Sequence, residues 1–183
     1  GYEAMIKQAL EQLRLKEKAL FESIRDRIKK SDPDCEIVYL PNLIPKEKVK
    51  YIFVAMEPSF GRWARDEKDA EKKIKEGFKN FIFSWEDFIF HYCVTEYLSP
   101  SYYLTDISKA AMKVKNASRW RSEIYPEWIE LLKEEIEIVG QNDCKLIFIA
   151  TNIETTCLKI NNGCRKVKCC KIYAEIRLII YYF

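Results

Sequence analysis

The chain has 183 residues, room for one domain with a sizeable core, and its 48% hydrophobic and 14% aromatic content fits a globular protein. No apolar run approaches the ~18 residues of a membrane span, and the first residues are charged and amphipathic, with no apolar signal-peptide segment among them. A balance of 31 basic against 28 acidic residues gives +3, too little to identify a nucleic-acid partner, so that argument rests on local charge.

Residues 4–30 read as one helix, with Met5, Ile6, Ala9, Leu10 and Leu13, then Leu20, Ile24 and Ile28, at helical spacing. Ser31, Asp32, Pro33 and Asp34 stop it. A short strand is expected at 36–39, and a turn between Pro41 and Pro45. Residues 51–56 form the first strong strand, a near-continuous apolar run. A charged helix at 66–76 follows. Next comes an aromatic belt of Phe78, Phe81, Phe83, Trp85, Phe88, Phe90 and Tyr92, expected to be mostly helix packed on a sheet. Residues 102–107 read as a second strand and 126–139 as a helix, with Pro126 at its first position and Gly140 past its end. Residues 145–150 read as a buried strand, 153–160 as a shorter helix and 174–183 as a last strand. Strands alternating with helices imply a mainly parallel sheet of four to five strands inside a three-layer α/β/α sandwich, one domain over 1–183. Ligands of such sheets bind at the C-terminal strand edge, where the strand order reverses.

Seven scattered cysteines, an odd number with no secretion signal, point to a reducing cytoplasm rather than a disulfide framework. Cys157, Cys164, Cys169 and Cys170 are spaced C-x6-C-x4-C-C with no C-x-x-C pair, and ordinary thiols explain them better than a metal or iron–sulfur site.

At the strand edge, Glu57 follows the 51–56 run and Pro58 biases it toward extended backbone. A fixed carboxylate beside Phe60 and Trp63 can orient a water; the competing reading is a turn cap or a pair with Arg62 or Arg65. Thr105 and Asp106 repeat the pattern after the second strand, where Asp106 either binds a polar ligand edge or caps Ile107–Met112. Then KVKNASRWR sets Lys113, Lys115, Arg119 and Arg121 around Trp120 with no acid among them. Cations suit phosphates and an exposed Trp suits a base face; the alternative is a solvated loop with Trp120 tucked into the core. Lys159, Arg165, Lys166, Lys168 and Lys171 form a further basic stretch. No phosphate-binding glycine loop and no nucleophile elbow occur, and His91, the sole histidine, reads as a packed residue.

Taken in order, AMEPSFG (Ala55–Gly61), YYLTDISKAAM (Tyr102–Met112), YPEWIE (Tyr125–Glu130) and KLIFIA (Lys145–Ala150) resemble the uracil-DNA glycosylase superfamily over roughly residues 50–152. The first segment is similar to the family's Gly-x-(Asp/Asn/Glu/Ala)-Pro motif, and Met56, Phe60 and Gly61 are most like its single-strand-selective branch. The resemblance implies that Glu57 positions the attacking water and that the Met56 backbone contacts a flipped base. Pro58 and Ser59 would complete that pocket, Ser59 where some members exclude thymine, and Asp106 would read the pyrimidine edge.

This sequence departs from the family in three places. Ala55 replaces a usual glycine. Asp106 replaces an amide, and a carboxylate donates a hydrogen bond only when protonated. No His-Pro-Ser segment follows IIYYF (Ile179–Phe183), so that segment lies past residue 183 or is missing. The family's iron–sulfur branches need paired cysteines near the start, where Cys35 stands alone.

The resulting expectation is a cytoplasmic, monomeric DNA-repair glycosylase. It acts on single-stranded or damaged DNA with Lys113, Lys115, Arg119, Trp120 and Arg121 on the strand, uses no metal or other cofactor, and has no membrane partner. The alternatives are a relative that binds DNA or a modified base without cleaving it, and an unrelated α/β protein-interaction domain.

Overall fold

The structure, a computed structural model, describes residues 1–149. The helix expected at 153–160, the strand at 174–183, the four C-terminal cysteines and the basic stretch from Lys159 to Lys171 lie outside them.

Helix α1 (Tyr2–Ser31) buries one stripe, Ile6, Leu10, Leu13, Glu17, Phe21, Ile24 and Ile28, the i, i+3, i+4, i+7 face expected of an amphipathic helix. The Asp32 N–H closes its last turn on the Ile28 carbonyl at 2.8 Å, and Pro33 has no N–H to continue it. Strand β1 (Glu36–Tyr39) and strand β2 (Val49–Ala55) follow. Helix α2 (Glu67–Lys75) starts on Asp66, whose carboxylate accepts from the Asp69 N–H at 2.8 Å. Helix α3 (Trp85–Tyr97) starts on a reciprocal capping box between Ser84 and Asp87. Then come β3 (Tyr102–Asp106), β4 (Ala110–Lys113), α4 (Ala117–Val139) and β5 (Gly140–Phe148).

Strands β3, β2 and β5 pair in that order, all parallel, with β2 in the middle. The chain leaves β2 for its neighbour on one side, then crosses back to the other side, so the order reverses at the C-terminal end of β2. Side-chain alternation divides the core. Ile52 and Val54 pack with α1 and α4 residues such as Ile24 and Trp128, while Phe53 faces Phe90 and Val94 of α3. Helices therefore cover both faces of the sheet. The descent from α4 into β5 has no loop, and Gly140 permits it: a Cβ there would stand 2.8 Å from the Ile136 carbonyl oxygen.

Among the described residues the parallel sheet has three strands, and a separate antiparallel pair, β1 with β4, stands beside it. Two sequence expectations are corrected. The segment expected to be capped by Asp106 is largely that strand β4, because Ala110 and Ala111 are buried and their backbone pairs with Tyr39 and Val38. Helix α4 begins at Ala117, not at Pro126. Pro126 sits inside it, and the carbonyl it leaves without a helical donor belongs to exposed Ser122, where water can serve. The early start carries Trp120 into the core beside Ile124 and Trp128.

Candidate functional site

The end of β2 is held by the backbone that leaves β3. The Ile107 N–H donates to the Ala55 carbonyl at 2.9 Å and the Ser108 N–H to that of Met56 at 3.1 Å. Glu57 follows, its backbone restricted by the buried Pro58. Its carboxylate is pinned at both oxygens. Oε1 accepts from Arg121 Nε at 2.7 Å and from Arg121 Nη2 at 2.5 Å. Oε2 accepts from the Tyr125 hydroxyl. Arg121 and Tyr125 are one turn apart on α4 and reach the same group. The Glu57 side chain keeps 9% of its surface exposed and Arg121 keeps 34%. Burial, then the Glu57 charge, pushes the Tyr125 hydroxyl far up, so it stays a proton donor. The hydrogen bond to Glu57 raises Arg121 above its ordinary value against the effect of burial.

Asp106 stands opposite Ala55 in the β2–β3 register and is 1% exposed. Burial raises its pKa to about 7, against the opposing pull of Lys109 and of the Asn80 amide. Asn80 Nδ2 donates to Asp106 Oδ2 at 2.5 Å, and Lys109 Nζ donates to the Asp106 carbonyl, also at 2.5 Å. Near neutrality a large share of Asp106 is protonated, which restores the donor that a carboxylate lacks.

From Asp106 a buried polar chain runs to α1. Asn80 Nδ2 also contacts Asn42 Oδ1 at 3.3 Å, Asn42 donates to Thr105 Oγ1 at 2.9 Å, and Thr105 donates to Glu135 at 2.7 Å. Lys109 lies 3.0 Å from Glu135 and 3.9 Å from Glu17. The hydroxyls of Tyr103 and Tyr39 close it on Glu135 at 2.9 Å and on Glu17 at 3.0 Å. Glu17, Tyr39, Tyr103, Lys109 and Glu135 line a cavity of about 10 Å³ with Leu10, Arg14 and Asn42, the size of one water. Burial raises Glu17 to about 7, with Lys109 opposing. Burial opposes charge on Lys109, but Glu135, Glu17 and Asp106 outweigh it and hold the ammonium above its ordinary value.

The remaining residues singled out in the sequence are spread around this edge. Met56 is half-buried. Ser59 is exposed, and its carbonyl accepts from Trp63 Nε1 at 2.6 Å in a turn where Gly61 supplies φ +98°. Phe60 is half-buried 6.0 Å from the Trp63 ring, which stacks on Phe78 at 4.4 Å. Lys113, Lys115 and Arg119 are exposed, and Arg119 pairs with Glu123 at 3.1 Å. Trp120 is corrected: it is 7% exposed within the main core and offers no free face to a base. Arg121 is turned to Glu57. His91 is packed as read, its Nε2–H donating to the Phe81 carbonyl at 2.8 Å and its Nδ1 accepting from Tyr102 at 2.6 Å. Among the described residues no group of three or more His, Cys, Asp or Glu is arranged to hold a metal ion, and no helix is long and apolar enough to cross a membrane.

Sequence reasoning missed Tyr125, Asn80, Asn42, Lys109, Glu17 and Glu135. Two had a signal: Glu17 and Glu135 occupy stripe positions that helical spacing assigns to the core. Asn42 and Asn80 had none, since only tertiary folding joins them to Asp106. Set against known proteins, the chain matches no protein-family model, no curated protein and no solved structure.

Proposed function

We propose that this chain is a DNA base-excision glycosylase of the uracil-DNA glycosylase type, taking a flipped, deaminated pyrimidine at the C-terminal edge of its parallel sheet. One observation carries the reading: Glu57, just past the central strand, is aimed by two donors from α4, beside the strand end that carries the buried Asp106. Arg121 and Tyr125 fix the direction of the carboxylate, which orients the attacking water once a strand is bound. Water oxygen attacks the anomeric carbon, its proton passes toward Glu57, and the bond electrons leave with the base. The Glu57 charge stabilises the cation that develops on the sugar. Flipping costs a few kcal/mol, least in single strands. Asp106 in its neutral form donates to a pyrimidine carbonyl. On this reading Lys113, Lys115 and Arg119 hold phosphates, and the protein works as a cytoplasmic monomer without a cofactor.

The test is release of uracil from a single-stranded oligonucleotide. Wild type is expected to release it, and Glu57→Gln to slow release by about 10²–10⁴-fold. No release at high enzyme excess removes the proposal.

A second reading, binding without cleavage, gains from the same geometry, because a carboxylate with both oxygens engaged is a weaker base. It predicts salt-sensitive binding with no product. The protein-interaction reading draws on Trp85, Phe88 and Tyr92, which lie on one exposed face of α3, Trp85 at 75%. It predicts no affinity for DNA at low salt.

A further inference from the structure

Arg121 has two claims on it. The proposed function needs cations for phosphates along 113–121, yet the guanidinium is spent on Glu57. Its geometry shows how both are met. Arg121 places Nε and Nη2 on one oxygen, Oε1, at 2.7 and 2.5 Å, because Tyr125 occupies the other. The parallel two-oxygen fork, the strongest arginine–carboxylate arrangement, is thereby denied to the pair. A phosphodiester offers two oxygens to the same fork. Arg121 is also the exposed partner, 34% against 9% for Glu57, and so it is the member that can turn outward. Exposed Lys113, Lys115 and Arg119 sit on the same stretch of chain. Arg119 carries its own carboxylate, Glu123, on the outer face.

We propose that Arg121 is an exchangeable partner of Glu57: a phosphodiester arriving at the head of α4 draws the guanidinium away, and the carboxylate, still held by Tyr125, is left with Oε1 open to a water. The inference rests on the reading of this edge as a DNA-base site and adds a gate to it. In the free protein Glu57 is covered. Strand binding uncovers it, so the attacking group forms only when phosphate is in place. Tyr125 is then a positioning residue, holding one oxygen while the other changes partner.

The experiment follows the Arg121 Nε–H resonance by NMR in the full chain. It is run with and without a uracil-free oligothymidylate, which supplies phosphates but no substrate. Bound oligothymidylate is expected to move the wild-type resonance to the position it takes in bound Glu57→Gln, where no carboxylate competes for the guanidinium. Binding that leaves the wild-type resonance where it stands in the free protein overturns the exchange and leaves the glycosylase reading standing. Absence of binding at low salt overturns both.

Discussion

Asp106 is an acid placed where ionisation is penalised, and its surroundings say which form the fold prefers. It is enclosed, its Oδ2 takes one amide proton from Asn80, and the Lys109 ammonium bonds the Asp106 backbone carbonyl and pairs with Glu135. Burial lifts its pKa to about 7 from 3.8. A raised folded-state pKa means the native chain holds this proton more tightly than the unfolded chain does. The group's stabilisation is fully present below about pH 4 and is lost as pH climbs toward 7. Asparagine imitates the protonated acid, with one donor and one acceptor in the same shape. Asp106→Asn is therefore expected to leave thermal stability nearly unchanged at pH 4. At pH 8 it should add up to about 4 kcal/mol, or about 8–16 °C in Tm. A Tm gain equal at both pH values would show that ionisation of Asp106 is not what the fold resists. The same substitution keeps a donor toward a pyrimidine carbonyl at every pH. If Asp106 reads the base, uracil release by the variant should hold steady between pH 6 and 8, where the wild-type rate falls as the donor is lost.

At the scale of elements, α1 is tied to the sheet by a buried charge as well as by its apolar stripe. Glu17 replaces a hydrophobe in that stripe, and Glu135 does the same in α4; Lys109, between β3 and β4, meets both. Such a cluster is weak evidence for stability as a whole, but removing its single lysine leaves two carboxylates facing each other without a counter-ion. Lys109→Met is expected to cost about 3–5 kcal/mol in urea unfolding at pH 7. The cost should shrink at pH 5, below the value of about 7 to which burial raises Glu17, where that acid takes up a proton. A loss under about 1 kcal/mol at pH 7 would place Lys109 outside the cluster's balance.

The elements themselves were legible to different degrees. The helix at 4–30 and the strand at 51–56 are written in strong periodicity and match α1 and β2 closely. Strand β4 was hidden because Ala110 and Ala111 carry no strand preference, and only pairing with β1 makes them extended. The start of α4 was hidden because Asn116 opens it in the left-handed conformation, φ 56°, without a side-chain cap, while Pro126 offered a false start. Glu57 and Asp106 were legible as strand-end acids. Their partners were not, because Arg121 is 64 residues from Glu57 and Asn80 is 26 from Asp106, and spacing carries no information over such separations.

For the molecule as a whole, the net charge of +3 conceals a division. Residues 80–108 hold no Lys or Arg but carry Glu86, Asp87, Glu96 and Asp106, whereas residues 109–121 hold five cations and no acid. Two of the five are committed inside the protein, Lys109 to Glu135 and Arg121 to Glu57. That leaves Lys113, Lys115 and Arg119 facing outward. Affinity for a single strand falls with salt by about 0.7 log units per log unit for each phosphate neutralised, so the slope counts the cations that reach the strand. Three phosphate contacts give a slope of about −2; if Arg121 exchanges onto a phosphate the count becomes four and the slope about −3. The measurement is oligothymidylate affinity from about 50 to 200 mM salt at pH 7, where the contrast amounts to about one half of a log unit in Kd. Arg121→Gln is expected to return the slope to about −2. Lys115→Ala in the wild-type background should take about 0.7 from it, whatever Arg121 does. A wild-type slope near −2 that Arg121→Gln leaves alone would mean that Arg121 stays on Glu57 while the strand is bound. A slope near zero would mean that the outward cations meet no phosphate at all, and the basic segment would then be an ordinary solvated surface.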